Sequence, residues 1–375
     1  MANIGIDARI WRAQTGGLGR YARNLVRELV DLDRENQYTV VIAKEDEPEF
    51  DVTAPNFRPL VVDIPHYSYA EQLDLPKVLN KERFDLIHFT HFNHPLFYRR
   101  PFVVTVHDLI LHLFPSGKQT KSPIRKYAYR WLMNDTKRAD RILVPSLATK
   151  QDLITMLGFP GDKIVVTAEG SENKFRIHSE AEIKAVKKKF GLPDKYLIFV
   201  SRWEHYKGLP AVIEAYKQVK REIPELGLVI CGRPVDQSPD VAEMVRSNQA
   251  ADPHVITPGF VSDDDLAALY SGASAYVHPS WYEGFGIMIL EAFAAGAPVV
   301  TSNVSSLPEV VGDAGLLVDP HDHNDIAEKI RQILTDPQLA KTLRQKGLAR
   351  AKDFSWKKMA EETLAVYESV LRSRI

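Results

Sequence analysis

Short runs that are apolar at nearly every position alternate along this chain with longer stretches whose apolar residues recur at helical spacing. Ile4–Asp7, Tyr38–Ala43, Leu86–Thr90, Phe102–Val106 and Arg141–Val144 are of the first kind, the pattern of parallel strands covered on both faces. Between the first two, Leu18, Tyr21, Ala22, Leu25, Val26, Leu29 and Leu32 form one stripe. A helix is predicted there, with Arg20, Arg23, Arg27 and Glu28 on its wet side. After the polar stretch Glu169–Phe175 the pattern restarts. A charged helix is expected over about 180–190 and strands at 196–200, 228–231, 255–256, 275–278, 298–301 and 315–318. Helices fit between them, for example at 209–221 and 263–270. Strands separated by helices imply right-handed crossovers and doubly wound sheets. The fold class is therefore α/β in two similar domains, 1–176 and 177–356, and a cleft between such domains is the default ligand site.

Composition narrows the function classes. The 375 residues exceed one ordinary core, and 45% apolar with 26% charged residues is a globular balance. Lys plus Arg (48) nearly cancels Asp plus Glu (49), which argues against a nucleic-acid binder relying on bulk positive charge. The single cysteine, Cys231, can form neither an intrachain disulfide nor a Cys-rich zinc site. No apolar run approaches the roughly 18 residues of a spanning helix. Asp7 and Arg9 interrupt the N-terminal apolar stretch, so no secretory signal is expected. The expectation is a soluble, cytoplasmic protein.

Three segments carry candidate chemistry. In Glu283-Gly-Phe-Gly-Ile-Met-Ile-Leu-Glu291 two acids flank a glycine turn and a helix-forming run. Gly284 and Gly286 let backbone approach a ligand, and a helix starting near Gly286 would aim free N–H groups at an anion. Eight positions on a helix are a little over two turns, so both acids are expected to reach one ligand from one side. In Ser201-Arg-Trp-Glu-His-Tyr-Lys-Gly208, directly after a predicted strand, Arg202 and Lys207 are suited to neutralising a diphosphate. Thr15-Gly-Gly-Leu-Gly-Arg20 places Gly17 and Gly19 at the start of the first helix, again a phosphate-facing design.

Rival readings attach to the same residues. Gly17-x-Gly19-x-x-Ala22 satisfies a loose dinucleotide fingerprint, although Ala8–Gly16 separate it from the strand and no acid ends the second strand at Ala43. An NAD-linked oxidoreductase is one alternative, and a non-catalytic saccharide-binding protein another. His88-x-x-His91-x-x-His94 is a possible zinc cluster, though it lacks a carboxylate at ligand spacing, and His88 inside a predicted strand also suits a satisfied core residue. His107 lies at the carboxyl end of a strand in Val104-Thr-Val-His107-Asp108, where a first-domain polar group would meet a ligand. Were the two acids a nucleophile and a general acid, the reaction would be glycoside hydrolysis, which is hard to arrange from one nine-residue segment.

Taken in order, Gly16-Gly-Leu-Gly-Arg-Tyr21, Thr105-Val-His-Asp108, Arg202 with Lys207-Gly208, and Glu283-Gly-Phe-Gly with Glu291 resemble the retaining family-4 glycosyltransferases of the GT-B fold. Pro258-Gly-Phe-Val261, Ala294–Val300, Leu307-Pro-Glu309 and Phe354-Ser-Trp356 add to the likeness, which covers nearly the whole chain. The resemblance implies two Rossmann-like domains facing across a deep cleft, the first completed by a C-terminal helix over 357–375. It implies a nucleotide-sugar donor in the second domain, no cofactor and no metal. Under it Glu291 takes the ribose hydroxyls, Glu283 the sugar hydroxyls, and backbone at Phe285, Gly286 and Ile287 the sugar and phosphate. Arg202 and Lys207 hold the diphosphate with Gly17 and Gly19, Phe260 and Val261 lie beside the base, and His107 contacts the donor sugar. It makes the protein a hexosyltransferase, with GDP-mannose the favoured donor and a saccharide or lipid-linked saccharide as acceptor.

The acceptor side carries one further signal. Residues 99–150 hold eleven bases against three acids, a local net charge of +8, with Tyr127, Tyr129 and Trp131 interleaved. This composition suits either an anionic membrane surface or lipid diphosphate, or a helix packing its aromatics inward and solvating its charges.

Overall fold

The computed structural model describes residues 1–12, 17–115 and 123–374 and divides into two compact units, Met1–Glu169 with Ser355–Ile375, and Gly170–Phe354. The division falls at Glu169 rather than near 176, because Phe175 buries its ring in the second unit against Tyr270. Thr15 and Gly16 of the first glycine segment, and Lys118 and Lys121 among the eleven bases of 99–150, lie outside the described residues.

In the first unit β1 (Asn3–Asp7), α1 (Gly17–Leu32), β2 (Gln37–Ala43), β3 (Phe57–Val62), α2 (Tyr69–Leu73), α3 (Leu75–Glu82) and β4 (Leu86–Phe89) follow one another. Then come β5 (Phe102–Thr105), α4 (Ile110–Leu113), α5 (Pro123–Asp135), β6 (Arg141–Val144), α6 (Leu147–Leu157) and β7 (Ile164–Val166). All seven strands are parallel in the order β3-β2-β1-β4-β5-β6-β7. Helix α1 buries Tyr21, Ala22, Leu25, Val26 and Leu29 as the stripe predicts, while Leu18 and Leu32 at its ends are half-buried.

The second unit contains α7 (Glu180–Phe190), β8 (Tyr196–Val200), α8 (Leu209–Lys220), β9 (Gly227–Cys231), α9 (Pro239–Ala251), β10 (Val255–Ile256) and α10 (Asp263–Gly272). It continues with β11 (Ala275–His278), α11 (Ile287–Ala294), β12 (Val299–Ser302), α12 (Leu307–Val311), β13 (Leu316–Val318), α13 (His323–Thr335) and α14 (Pro337–Ala351). Its six parallel strands run β10-β9-β8-β11-β12-β13. Local sequence sets the helix ends. A capping box between Ser179 and Glu182 opens α7 and Gly191 in the left-handed region closes it, with three lysines in the last turn.

The last helix, α15 (Trp356–Arg372), starts at the Ser355 cap and packs against α1 of the first unit. A buried polar chain fixes it there. Tyr367 OH lies 2.6 Å from His88 Nδ1, His88 Nε2 lies 2.7 Å from Thr105 Oγ1, and that hydroxyl is 3.0 Å from Tyr21 OH. Burial, with the nearby His107 charge, pushes the His88 imidazole down to about 3, so it stays neutral within this chain.

Candidate active site

In the second sheet the strand order changes direction between β8 and β11, which are hydrogen-bonded neighbours. Loops leaving two such strands diverge, and the crevice outside their carboxyl ends is where open α/β sheets take ligands. Here the loop after β8 carries Arg202 and Lys207, and the loop after β11 carries Glu283. Lys207 Nζ donates to both Glu283 carboxylate oxygens, at 2.7 and 2.8 Å. His278 Nε2 lies 2.8 Å from Oε1 of the same carboxylate. All three side chains are buried. Burial by itself would raise the Glu283 carboxyl, but the Lys207 charge and the His278 hydrogen bond outweigh it and hold the group well below the usual carboxylate range.

Backbone contacts lock the two loops together. Gly208 adopts φ 78°, and a Cβ there would collide with the Pro279 carbonyl oxygen, so only glycine permits this approach. Trp281 N–H donates to the Tyr206 carbonyl at 2.7 Å, and Ser280 Oγ donates to it at 3.1 Å. From beyond β12, Ser305 Oγ donates to the Glu283 carbonyl at 2.6 Å. Ser306 Oγ reaches the Glu283 and Phe285 carbonyls at 3.0 and 2.7 Å. Ser305 is itself in the left-handed region at φ 57°, a modest strain that these bonds sustain.

Helix α11 begins immediately afterwards, with Gly286 as its N-cap at φ 107°. The first N–H groups of a helix lack intrahelical acceptors and carry the positive end of its dipole. In α11 the Ile289 N–H is already taken by the Gly286 carbonyl at 2.9 Å, so Ile287 and Met288 are the ones that open the helix. One expectation needs correcting here. Glu283 and Glu291 do not share a helix: Glu283 sits in the loop and only Glu291 lies on α11. The two acids are therefore placed by the left-handed turn at Gly286 and not by helical spacing. Glu291 is 2% exposed, so its carboxylate is enclosed on α11 and not solvated. Phe285 is buried against the Phe354 ring and Ile287 is half-buried.

Arg202 stands apart from the buried pair. Its side chain is about half exposed, and one guanidinium nitrogen lies 3.1 Å from Glu204 Oε2 and 3.2 Å from Tyr206 OH. These partners tether the guanidinium at the mouth of the crevice. Phe260 and Val261 lie on the loop between β10 and α10, and Phe260 is 93% exposed.

The first unit carries its own candidates. Gly17 and Gly19 open α1, the former exposed and the latter buried. His107 follows β5, with Nε2 2.9 Å from the Thr90 carbonyl, to which it donates, and Nδ1 3.3 Å from Glu169 Oε1. The Tyr21 ring meets the His107 ring edge to face at 4.7 Å. At the ends of β1 and β4, where this sheet's order reverses, Arg9 is fully enclosed between Asp7 and Glu71, at 2.8 and 2.7 Å. Asn93 Nδ2 donates to the second Glu71 oxygen at 2.7 Å.

The histidine triplet is dispersed into separate hydrogen bonds. His88 serves the chain to α15, the His91 ring accepts the Asn93 N–H at 3.2 Å, and His94 bridges the Phe92 carbonyl and Asp135. Among the described residues no three His, Cys, Asp or Glu side chains are grouped to hold a metal ion. Sequence reasoning missed His278, Glu204, Ser305 and Ser306, and also the Asp7–Arg9–Glu71 set. A signal existed for His278, which ends a predicted strand just as His107 does.

Two family models account for most of the chain. Residues 180–350 match the family described as glycosyl transferases group 1, and residues 15–170 match glycosyltransferase family 4. The Escherichia coli O-antigen chain mannosyltransferase B is 34% identical over 267 residues, covering 71% of this chain and 70% of that protein. The serotype-specific mannosyltransferase WbdA of Escherichia coli is 30% identical, and the match spans 72% of this chain but only 34% of that larger protein. Among solved structures, Anabaena HepE in complex with UDP and glucose superposes with a TM-score of 0.77 at 20% identity, covering 98% of this chain and all of that one. Sucrose-phosphate synthase of Thermosynechococcus elongatus gives 0.80 at 22% identity over the full length of both chains. Fold and site together define the class, the two-unit GT-B enzymes that move a sugar from an activated donor. The chain belongs to the family-4 glycosyltransferases.

Proposed function

We propose that the enzyme is a retaining, metal-independent hexosyltransferase that takes mannose from GDP-mannose and delivers it to a saccharide or lipid-linked saccharide. The observation that carries this reading is the Lys207–Glu283 pair at the β8/β11 crevice, with Arg202 at its mouth and the start of α11 behind it. In glycosyl transfer the bond from the anomeric carbon to the phosphate oxygen breaks, and its electron pair leaves with the nucleoside diphosphate. Arg202, Lys207 and the first N–H groups of α11 are the chain's own means of stabilising that charge. Glu283 would accept hydrogen bonds from the sugar hydroxyls, and Glu291 from the ribose. The acceptor oxygen then bonds to the anomeric carbon and its proton passes to the departing phosphate. The choice of mannose is supported by the two mannosyltransferase relatives, while the HepE structure holds UDP and glucose, so UDP-glucose is the donor to test against it.

The experiment is a donor panel of GDP-mannose, UDP-glucose, ADP-glucose and NAD, read by thermal stabilisation and donor turnover in excess EDTA. Binding and turnover of GDP-mannose under those conditions are expected. Response to NAD alone, or strict dependence on added divalent metal, would overturn the reading.

We also propose a peripheral contact between the first unit and an anionic bilayer. Of the three interleaved aromatics on α5, Tyr127 and Trp131 are 75% and 53% exposed, whereas Tyr129 packs inward against the Phe92 ring. Beside them Arg130, Lys137, Met133, Met156 and Phe159 line a cavity of about 270 Å³. Exposed aromatics among cations suit the headgroup boundary of a membrane. No helix among the described residues is long and apolar enough to cross one.

A further inference from the structure

Lys207 and Glu283 have a conflict of duties. Under the transferase reading, on which this inference rests, Lys207 must turn to a diphosphate while Glu283 must present its carboxylate to a sugar. In the structure each is the other's partner, with both carboxylate oxygens taken by one ammonium. When Lys207 leaves, a buried carboxylate would lose its counter-charge and, with it, its fixed orientation. One other side chain already grips it. His278 Nε2 lies 2.8 Å from Oε1, on a ring fully enclosed at the end of β11.

The ring is placed to stay where it is. The Tyr276 ring stacks against it at 5.6 Å and 17°, and the Phe199 ring packs at 6.2 Å. Thr301 Oγ1 donates to the His278 carbonyl at 2.7 Å, tying the residue to β12. Among the described residues the other ring nitrogen, Nδ1, has no hydrogen-bond partner. A carboxylate accepts only, so the shared proton belongs on Nε2, and the unpartnered Nδ1 is then a bare lone pair. That tautomer leaves no buried N–H unsatisfied and makes His278 a fixed donor to Glu283.

We propose that His278 is a positioning residue: it holds the Glu283 carboxylate for the donor sugar while Lys207 transfers its charge to the diphosphate. Lys207 is then free to exchange partners without Glu283 moving. The role is specific to Nε2, which gives it a chemical test. A glutamine amide nitrogen reaches the place of Nε2, whereas an asparagine amide reaches only that of Nδ1, and phenylalanine keeps the ring packing without any donor.

His278→Gln, His278→Asn and His278→Phe should be compared in the full chain with whichever of GDP-mannose and UDP-glucose the wild type consumes, alongside Glu283→Ala. Losing a hydrogen bond to a charged group should lower kcat about 10- to 100-fold in the Phe and Asn variants, while the Kd for the matching nucleoside diphosphate stays within about twofold. His278→Gln should recover most of the kcat. Wild-type kcat in His278→Phe, or equal recovery by Asn and Gln, would overturn the proposal. So would a loss of nucleoside diphosphate affinity as large as the loss of kcat, which marks a merely structural role. If His278→Phe fails to fold, the Asn and Gln pair still decides the matter. The outcomes are separable from the wider reading: a fully active Glu283→Ala defeats the role of the carboxylate itself, whereas an inactive Glu283→Ala beside an active His278→Phe defeats His278 alone.

Discussion

Replacing Lys207 by methionine removes the charge but keeps most of the side-chain length, and the structure sets what should follow. Glu283 is left enclosed with His278 as its remaining donor. Breaking a buried ion pair costs about 3–5 kcal/mol, and the surviving hydrogen bond offsets about 1–2 kcal/mol of that. The net expectation near neutral pH is a loss of about 1–4 kcal/mol, a large share of the roughly 5–15 kcal/mol that holds a domain folded. For a unit of this size that is a fall in Tm of about 2–16 °C. The pH dependence has a definite sign. In the wild type the Glu283 carboxyl is held below its ordinary value, so its stabilising contribution is complete above about pH 4.5 and is lost only as pH falls through the depressed folded value. In Lys207→Met burial dominates, the carboxyl rises, and Glu283 takes a proton in mild acid. The stability gap between the two proteins should therefore narrow between pH 7.5 and pH 5. Adding Glu283→Gln to Lys207→Met should recover part of the loss, since no buried charge then remains. Urea unfolding of the three proteins at both pH values measures this, and donor turnover should fall about 100-fold or more in Lys207→Met. A loss under about 0.5 kcal/mol, or a gap indifferent to pH, would refute the reasoning.

Two further outcomes are expected. His88 is buried and held neutral, down to about 3, so the unfolded chain binds the extra proton first and stability should drop by about 2 kcal/mol between pH 6.5 and pH 5; thermal melts of wild type against His88→Gln should show that drop blunted in the variant. For the bilayer contact, the protein should sediment with vesicles containing phosphatidylglycerol more than with pure phosphatidylcholine, and Tyr127→Ser with Trp131→Ser should weaken this several-fold; equal sedimentation with both lipids would contradict the contact.

Much of the architecture was legible because both sheets are parallel. Strands covered on both faces read as unbroken apolar runs, and those at Tyr196–Val200 and Ala275–His278 appear where the pattern puts them. The Glu180–Phe190 helix was equally plain, since its caps and end charges are local. Strands β3 and β7 escaped notice: Arg58 and Pro59 interrupt the first, and the second is only three residues long at the sheet edge. The charge-bearing residues Arg202, Lys207, Glu283 and Glu291 could be nominated from their place after strands and glycines, but not their pairing. No spacing rule brings Lys207 against Glu283 across 76 positions.

That pairing depends on strand order, which a sequence of alternating strands and helices leaves open. Because β11 inserts beside β8, two loops distant in the chain leave the sheet side by side, and only glycine at 208 lets their backbones touch. The chain by itself therefore determined the residue types able to face an anion and the elements that carry them, since propensity, capping and apolar period act over a few residues. The tertiary structure decided which carboxylate each cation meets, that Glu283 stands before its helix, and that His278 supports it, because burial and sheet order are properties of the whole packed unit.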